Sequence, residues 1–304
     1  VHRLRGGTAG ATRGIRERFP DRLIGTPICE NGFVGLALGA ALNGMRPVIE
    51  IMYPDFALGA ADQLFNQISK VRHMFGGAFP VPVIVRSRVS SGTGYGSQHS
   101  MDASGLFALY PGWRIFVPSR PYDYIGMLNA AVACDDPVLI VEYSVLFDTM
   151  GSVPASAWDY IVPVGKARVA RSGQRCTILA YGPMVGFACE AAAVSGVDAE
   201  IIDLRTIDPL GLDWALVEAS VRKTNVLMIA ERNARGTSVG SRIASEAQRR
   251  LFDWLDHEII HVTGAEAAPV VSKILEHAAL ADARTIEAAL RRLDADIPKP
   301  RLKA

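Results

Sequence analysis

Short runs of β-branched and apolar residues alternate with longer stretches of helical periodicity along the whole chain, and this alternation most restricts its fold. Strand followed by helix followed by strand builds parallel strands with crossover helices, because a parallel pair cannot be closed by a tight turn. In the first half, residues 23–25, 47–52, 82–86, 114–117 and 138–142 read as strands, and 32–43, 57–74 and 122–133 as helices. From 144 to 163 the pattern dissolves into Gly, Ser, Pro and isolated aromatics, the composition of an interdomain linker. The alternation then resumes, with strands at 177–181, 200–204, 226–231 and 259–262 and helices at 185–195, 211–222, 238–255 and 284–292. The expected architecture is α/β with two doubly wound domains, 1–150 and 151–304, which suits a length of 304 residues.

Composition removes several function classes. Hydrophobic residues make up 49% and charged residues 21%, so no stretch is polar enough for a long disordered tail. Lys and Arg number 32 against 31 Asp and Glu, a net charge of +1, which leaves no basic footprint for nucleic acid. The longest apolar runs, 33–42 and 137–141, fall short of the roughly 20 residues a membrane-spanning helix needs. A soluble chain is expected. Cys29, Cys134, Cys176 and Cys189 form neither a C-x-x-C pair nor a zinc spacing, so no metal ligand set is expected and a reducing compartment, the cytoplasm, fits. The first eighteen residues are Arg-rich with one acid, as in a transit peptide, yet the apolar patterning runs straight through them.

Three features can carry chemistry. The helix at 32–43 contains Gly32, Gly35 and Gly39, and no charged residue occurs from 31 to 45. A helix apolar all round is buried, either in the chain's own core or against a second subunit. Glu30 lies just before it, either as a favourable charge at a helix start or as a carboxyl in apolar surroundings able to share a proton with a ligand. The loop from Ser90 to Ser100 follows a strand but fails the dinucleotide fingerprint, having no third Gly at the required offset and no acid about 20 residues on. It does place His99 at a strand's carboxyl end, where ligands bind in open α/β sheets, with a structural role as the alternative. Phe56 follows another strand, as a packing residue or a stacking platform. Ser97 and Ser100 flank His99, but no nucleophile elbow accompanies them.

Taken together, Gly6-Gly7-Thr8-Ala9-Gly10-Ala11-Thr12, Thr26-Pro27-Ile28-Cys29-Glu30, Leu42-Asn43-Gly44-Met45-Arg46-Pro47-Val48-Ile49-Glu50, Asp62-Gln63 and Gln98-His99-Ser100 resemble one family. It is the β subunit of the thiamine-diphosphate-dependent 2-oxo acid dehydrogenases, the decarboxylating first component of pyruvate, branched-chain and acetoin dehydrogenase complexes. The resemblance extends to Leu204-Arg205-Thr206-Ile207-Asp208-Pro209-Leu210 and Val262-Thr263-Gly264, which are similar to a transketolase-type C-terminal domain. The family's pyrimidine-side motif is met by Glu30, Gly35, Leu36 and Gly39, with Ala40 where some thiamine enzymes have Gln.

The resemblance implies that Glu30 hydrogen-bonds N1′ of the cofactor's aminopyrimidine, favouring the tautomer that deprotonates the thiazolium carbon. It implies that Phe56 stacks on that ring, with Met52 and Gln98 completing the cofactor-binding set, and that His99 positions substrate and moves protons during acyl transfer to a lipoyl group. Met101 departs from the family's second Gln after Gln-His-Ser. The family's leading helix and strand, ending in Gly-Glu-Asp-Val, have no counterpart, so the first sheet is expected to lack an edge strand or to receive one from another chain. A Gly-Asp-Gly followed by Asn, the diphosphate and Mg²⁺ motif, is likewise absent from the sequence. In this family it sits on an α subunit, so the resemblance implies half a cofactor site within an α2β2 assembly containing a second β subunit. It further implies a lipoyl acyltransferase core as partner, docked on the C-terminal domain, a docking that the basic tail Lys299, Arg301 and Lys303 leaves open for this chain, and a structural K⁺ held by backbone carbonyls near residues 131–137. The substrate is expected to be a small 2-oxo acid or acetoin, with Val71-Arg72-His73-Met74-Phe75-Gly76-Gly77 similar to acetoin-type members. A split-subunit thiamine-dependent carboligase and a non-catalytic assembly subunit remain as alternatives.

Overall fold

In the computed structural model, which describes residues 7–296, the first-half runs pair as an all-parallel sheet in the order β1-β2-β4-β3. Its strands are β1 (Val48–Ile51), β2 (Ile84–Val89), β3 (Arg114–Phe116) and β4 (Val138–Tyr143). The helices of this half are α1 (Ile15–Arg18), α2 (Glu30–Leu42), α3 (Val71–Met74), α4 (Ser104–Ala108) and α5 (Pro121–Ala133). Alternate strand residues go to opposite faces. Val85, Val89, Leu139 and Val141 share a core with Val34 and Leu38 of α2, and Ile84, Phe116, Val138 and Ile140 pack against Met127, Ala130 and Ala131 of α5.

The second sheet runs β5-β7-β6-β8-β9, from β5 (Arg168–Arg171), β6 (Cys176–Ala180), β7 (Ala199–Asp203), β8 (Leu227–Ala234) and β9 (Ile260–Gly264). All its pairings are parallel except β5 with β7. Helices α6 (Pro183–Ser195), α7 (Trp214–Thr224), α8 (Gly240–Leu251), α9 (Lys273–Ala279) and α10 (Ala283–Asp296) complete the chain. One face is covered by α6 and α10, while residues of α7 and α8 join the core that begins at α2. That core is continuous because the sheets are joined backbone to backbone. The Val117 amide donates to the Arg205 carbonyl at 2.7 Å, and the Ile207 amide to the Ile115 carbonyl at 3.0 Å.

Several sequence expectations need correction. Residues 23–25 form no strand: Gly25 and Pro27 follow closely, and Ile24 is 74% exposed. The single helix expected at 57–74 is broken into a 3₁₀ stretch (Pro54–Ala60), a π-helical stretch (Asp62–Ile68) and α3. The break has a local cause, since the Ser69 hydroxyl takes the Phe65 carbonyl at 2.7 Å while the Ser69 amide reaches five residues back to Leu64. The linker expected at 144–163 opens with a single turn and then stays irregular, but it is laid on α5. Tyr160 stacks on Tyr122 at 4.5 Å, and Asn129 donates to the carbonyls of Trp158 and Tyr160 at 2.6 and 2.9 Å. Strand β5 and helix α9 were not expected. The basic residues of β5 hide an edge strand, and α9 is too short to show a full apolar face.

A buried polar cluster lies at the strand ends where the sheets meet. Tyr143, closing β4, donates to Asp102, and Tyr181, just past β6, donates to Glu231 at 2.6 Å. Glu231 also accepts from Ser238 at 2.5 Å, from the Gly240 amide at 3.0 Å and from His261 Nε2 at 2.7 Å. Burial pushes the Glu231 carboxyl up, but hydrogen bonds from His261, Ser238 and Tyr181 outweigh it and hold the group below the usual carboxylate range. Such a group contributes stability that is present above its unfolded pKa of about 4.3 and lost as pH falls through the folded value. Thermal melts across the acid range should therefore show the melting temperature dropping below about pH 4. Glu231→Gln should melt lower at neutral pH, by the equivalent of about 3 kcal/mol, and show a flatter acid limb. An unchanged acid limb would remove Glu231 from the balance.

Candidate active site

Pro27 keeps the chain extended as it enters α2, and Cys29 caps the helix without a side-chain hydrogen bond. Glu30 is therefore the first helical residue, with its carboxylate at the positive end of the helix. It is partly buried and has no hydrogen-bond partner among the described residues. Its side chain lies beside Gly59, where an added Cβ would come 3.8 Å from Glu30 Oε2. Gly59 belongs to the 3₁₀ stretch Pro54–Ala60 after β1, which also carries Phe56, while Met52 and Tyr53 lie between the strand and that stretch. Met52 is 44% exposed, Tyr53 is buried and Phe56 is half-buried.

The loop after β2 brings His99 to the same place. Gly92, Gly94 and Gly96 adopt φ of +89°, +79° and +83°, a region that disfavours any side chain. The loop is closed by the Ser90 amide on the His99 carbonyl at 3.3 Å and the His99 amide on the Gly96 carbonyl at 3.2 Å. The His99 ring then meets Tyr53 edge-on at 4.5 Å and Phe56 at 5.4 Å. Gln98, beside it, is exposed. The loop's other side docks on the second half. The Gly94 amide donates to buried Glu276 of α9 at 2.7 Å, and the Ser97 hydroxyl to the Pro269 carbonyl at 2.6 Å. A Cβ on Gly92 would come 2.3 Å from Arg232 Nη2.

Glu30, Phe56 and His99 thus line one edge of the first sheet, and both Met52 and Gln98 lie there with their side chains exposed. Sequence reasoning missed Tyr53, Tyr95, Arg88 and Asp55. Tyr95 lies 6.0 Å from the His99 ring, and an aromatic between two glycines in a strand-end loop was the available signal. Burial pushes the Asp55 carboxyl up, opposed by backbone hydrogen bonds, including that of Met101, and by the His99 charge.

Helix α2 is only partly buried. Val34, Ala37, Leu38 and Ala41 face the core, while Leu36 is 62% exposed and Ile28, just before the helix, 85%. Gly35 permits a close approach within the chain, since a Cβ there would meet Gln63 Oε1 at 3.3 Å, and Gly39 faces open space. The carbonyls of the expected K⁺ stretch are occupied by protein donors. Cys134 O receives Arg46 Nη1 at 2.6 Å, Asp135 O the Val81 amide at 2.9 Å and Pro137 O the Arg114 amide at 2.8 Å. Among the described residues, no group of three or more His, Cys, Asp or Glu could hold a metal, and no helix is long and apolar enough to cross a membrane. Lys299, Arg301 and Lys303, and Gly6 of the first motif, lie outside the described residues.

Residues 3–145 match the transketolase pyrimidine-binding domain, and residues 165–286 the transketolase C-terminal domain. The chain is 38% identical to the β subunit of acetoin:2,6-dichlorophenolindophenol oxidoreductase of Cupriavidus necator, over 94% of this chain and 85% of that protein. It is 35% identical to the 2-oxoisovalerate dehydrogenase β subunit of Bacillus subtilis (95% and 89% covered). Against the mitochondrial pyruvate dehydrogenase E1 β subunit of Rattus norvegicus it is 34% identical (94% and 81% covered). A solved split-gene transketolase, described as an inactive β4 tetramer, shares the fold at a TM-score of 0.74 and 23% identity, covering 94% of this chain and 88% of that one. The pyrimidine-side strand ends, the paired parallel sheets and these relatives agree, and the chain belongs to the β-subunit family of the thiamine-diphosphate-dependent 2-oxo acid and acetoin dehydrogenases.

Proposed function

We propose that this chain is the β subunit of a 2-oxo acid or acetoin dehydrogenase, which decarboxylates or cleaves its substrate and passes the acyl group to lipoamide together with an α subunit in an α2β2 assembly. Residues 1–150 form the pyrimidine-binding half and 151–304 the linker and C-terminal half. The observation that carries this reading is the free Glu30 carboxylate at the start of α2, held beside the turn that bears Phe56 and within the same strand-end edge as His99. A carboxyl without a protein partner, which when protonated donates to a ring nitrogen, and an aromatic on the adjoining turn are the donor and stacking set an aminopyrimidine requires, so the residues present fit thiamine diphosphate.

When bound, the cofactor supplies the nucleophilic carbon and the electron sink for decarboxylation. Glu30 holds a proton at its carboxylate opposite the pyrimidine N1′, Phe56 fixes the ring plane, and Met52 and Gln98 line its border. His99, steadied by Tyr53 and by a loop docked on α9, orients the substrate carbonyl and transfers a proton during acyl release. The Mg²⁺ and the diphosphate are assigned to the α subunit, because the sequence has no Gly-Asp-Gly with a following Asn. The exposed apolar side of α2 and the residues before it suit a subunit contact, with the α subunit, the second β subunit or both. An acyltransferase core completes the proposed complex, in the cytoplasm.

The test is calorimetric titration of thiamine diphosphate with Mg²⁺ into the purified chain, alone and mixed with a candidate α subunit. Tight binding only in the mixture is expected. Tight binding by the chain alone would overturn the half-site.

A further inference from the structure

Arg88 stands near the end of β2, and its guanidinium lies against the two tyrosines that surround His99. Its central carbon is 4.6 Å from the Tyr53 ring centroid and 5.6 Å from that of Tyr95. Among the described residues no carboxylate comes within ion-pair distance of it, and its Nε is shut off from water without a hydrogen-bond partner.

Other arginines around this sheet are differently placed. Arg86, two residues earlier, is held by both oxygens of Glu142 at 2.7 and 3.0 Å. Arg114 pairs with Asp136 and Asp208, and Arg120 with Asp123. Asp55, the acid of the candidate site closest to Tyr53 in sequence, forms no ion pair with Arg88, and its own Oδ2 is buried without a hydrogen-bond partner among the described residues. A desolvated donor without an acceptor costs free energy, and what sets Arg88 apart is that it also has no carboxylate partner and lies against the rings that surround His99. A guanidinium stacked on aromatic rings has its in-plane N–H groups still available, in the fork that matches a carboxylate.

We propose that Arg88 binds the substrate's carboxylate and so selects anionic 2-oxo acids over neutral ketones. This deepens the function proposed above and rests on it, because it needs His99 to lie beside the substrate. It also divides the relatives' substrates: pyruvate and 2-oxoisovalerate carry a carboxylate, and acetoin does not.

The test compares wild type, Arg88→Met and Arg88→Lys in the complex with the α subunit. Met keeps the stacking volume and removes the charge. KM for a 2-oxo acid should rise about 10- to 100-fold in Arg88→Met with kcat nearly unchanged, and Arg88→Lys should recover part of the loss. Turnover of acetoin should be poor in wild type and the same in the variant. A second readout avoids turnover: a 2-oxo acid and its uncharged amide are titrated into the complex lacking cofactor. Wild type should prefer the acid, and Arg88→Met should not. Unchanged KM, equal losses for charged and neutral compounds, or weakened thiamine diphosphate affinity in place of weakened substrate affinity would each overturn the assignment. Wild type that turns over neither compound would sink the proposed function as well, whereas normal 2-oxo acid turnover by Arg88→Met would sink this inference alone.

Discussion

Glu30→Gln, assembled with an α subunit and saturated with cofactor, should turn over at least about 100-fold more slowly than wild type, the loss typical of removing a positioned acid-base group. The substitution is close to isosteric, so Val34, Leu38 and the remaining core contacts of α2 stay as they are, and the fold should survive. The difference lies in the proton. A carboxyl can both hold and release one, while an amide can only donate from its nitrogen or accept at its oxygen. Steady-state turnover and the melting temperature, measured on the same preparation, separate chemistry from folding. A stable variant with wild-type turnover would take Glu30 out of the mechanism.

The second large effect concerns His99. His99→Ala should impair acyl transfer to lipoamide by roughly 100-fold or more, and decarboxylation assayed with an artificial electron acceptor by much less. The reasoning is geometric. The imidazole is packed edge-on against Tyr53 and Phe56 and carried on a loop closed by its own backbone hydrogen bonds, so its position is fixed, and the proposed function puts it beside the substrate carbonyl. Decarboxylation relies on the cofactor's own electron sink, whereas releasing the acyl group to a thiol needs protons moved at the substrate oxygen. Equal losses in both assays would contradict this division of labour.

The fold was legible because its central strands are buried parallel runs. Val138 to Glu142 and Thr177 to Ala180 carry β-branched and apolar residues on both faces, a pattern that survives any tertiary context. The segment after β1 was not, because its breaks depend on Ser69 competing for a helix carbonyl, which periodicity cannot register. Within the candidate site, Glu30, Phe56 and His99 could be singled out from their position at helix starts and strand ends. Arg88, Tyr53 and Tyr95 could not, since their meaning arises only when two strand ends and a loop converge. Glu276 was further out of reach, lying 182 residues from its partner Gly94.

The backbone bonds from Val117 to Arg205 and from Ile207 to Ile115 bear on how variants of this chain are to be interpreted. They tie the two sheets to each other directly, independently of the connecting segment laid on α5. Helix α9 is tied directly to the histidine loop by the Gly94 amide on Glu276. Distance from the cofactor is therefore a poor guide to kinetic consequence in this protein. A substitution far out in the second half can alter turnover with no second binding site involved, and one in the connector can be silent.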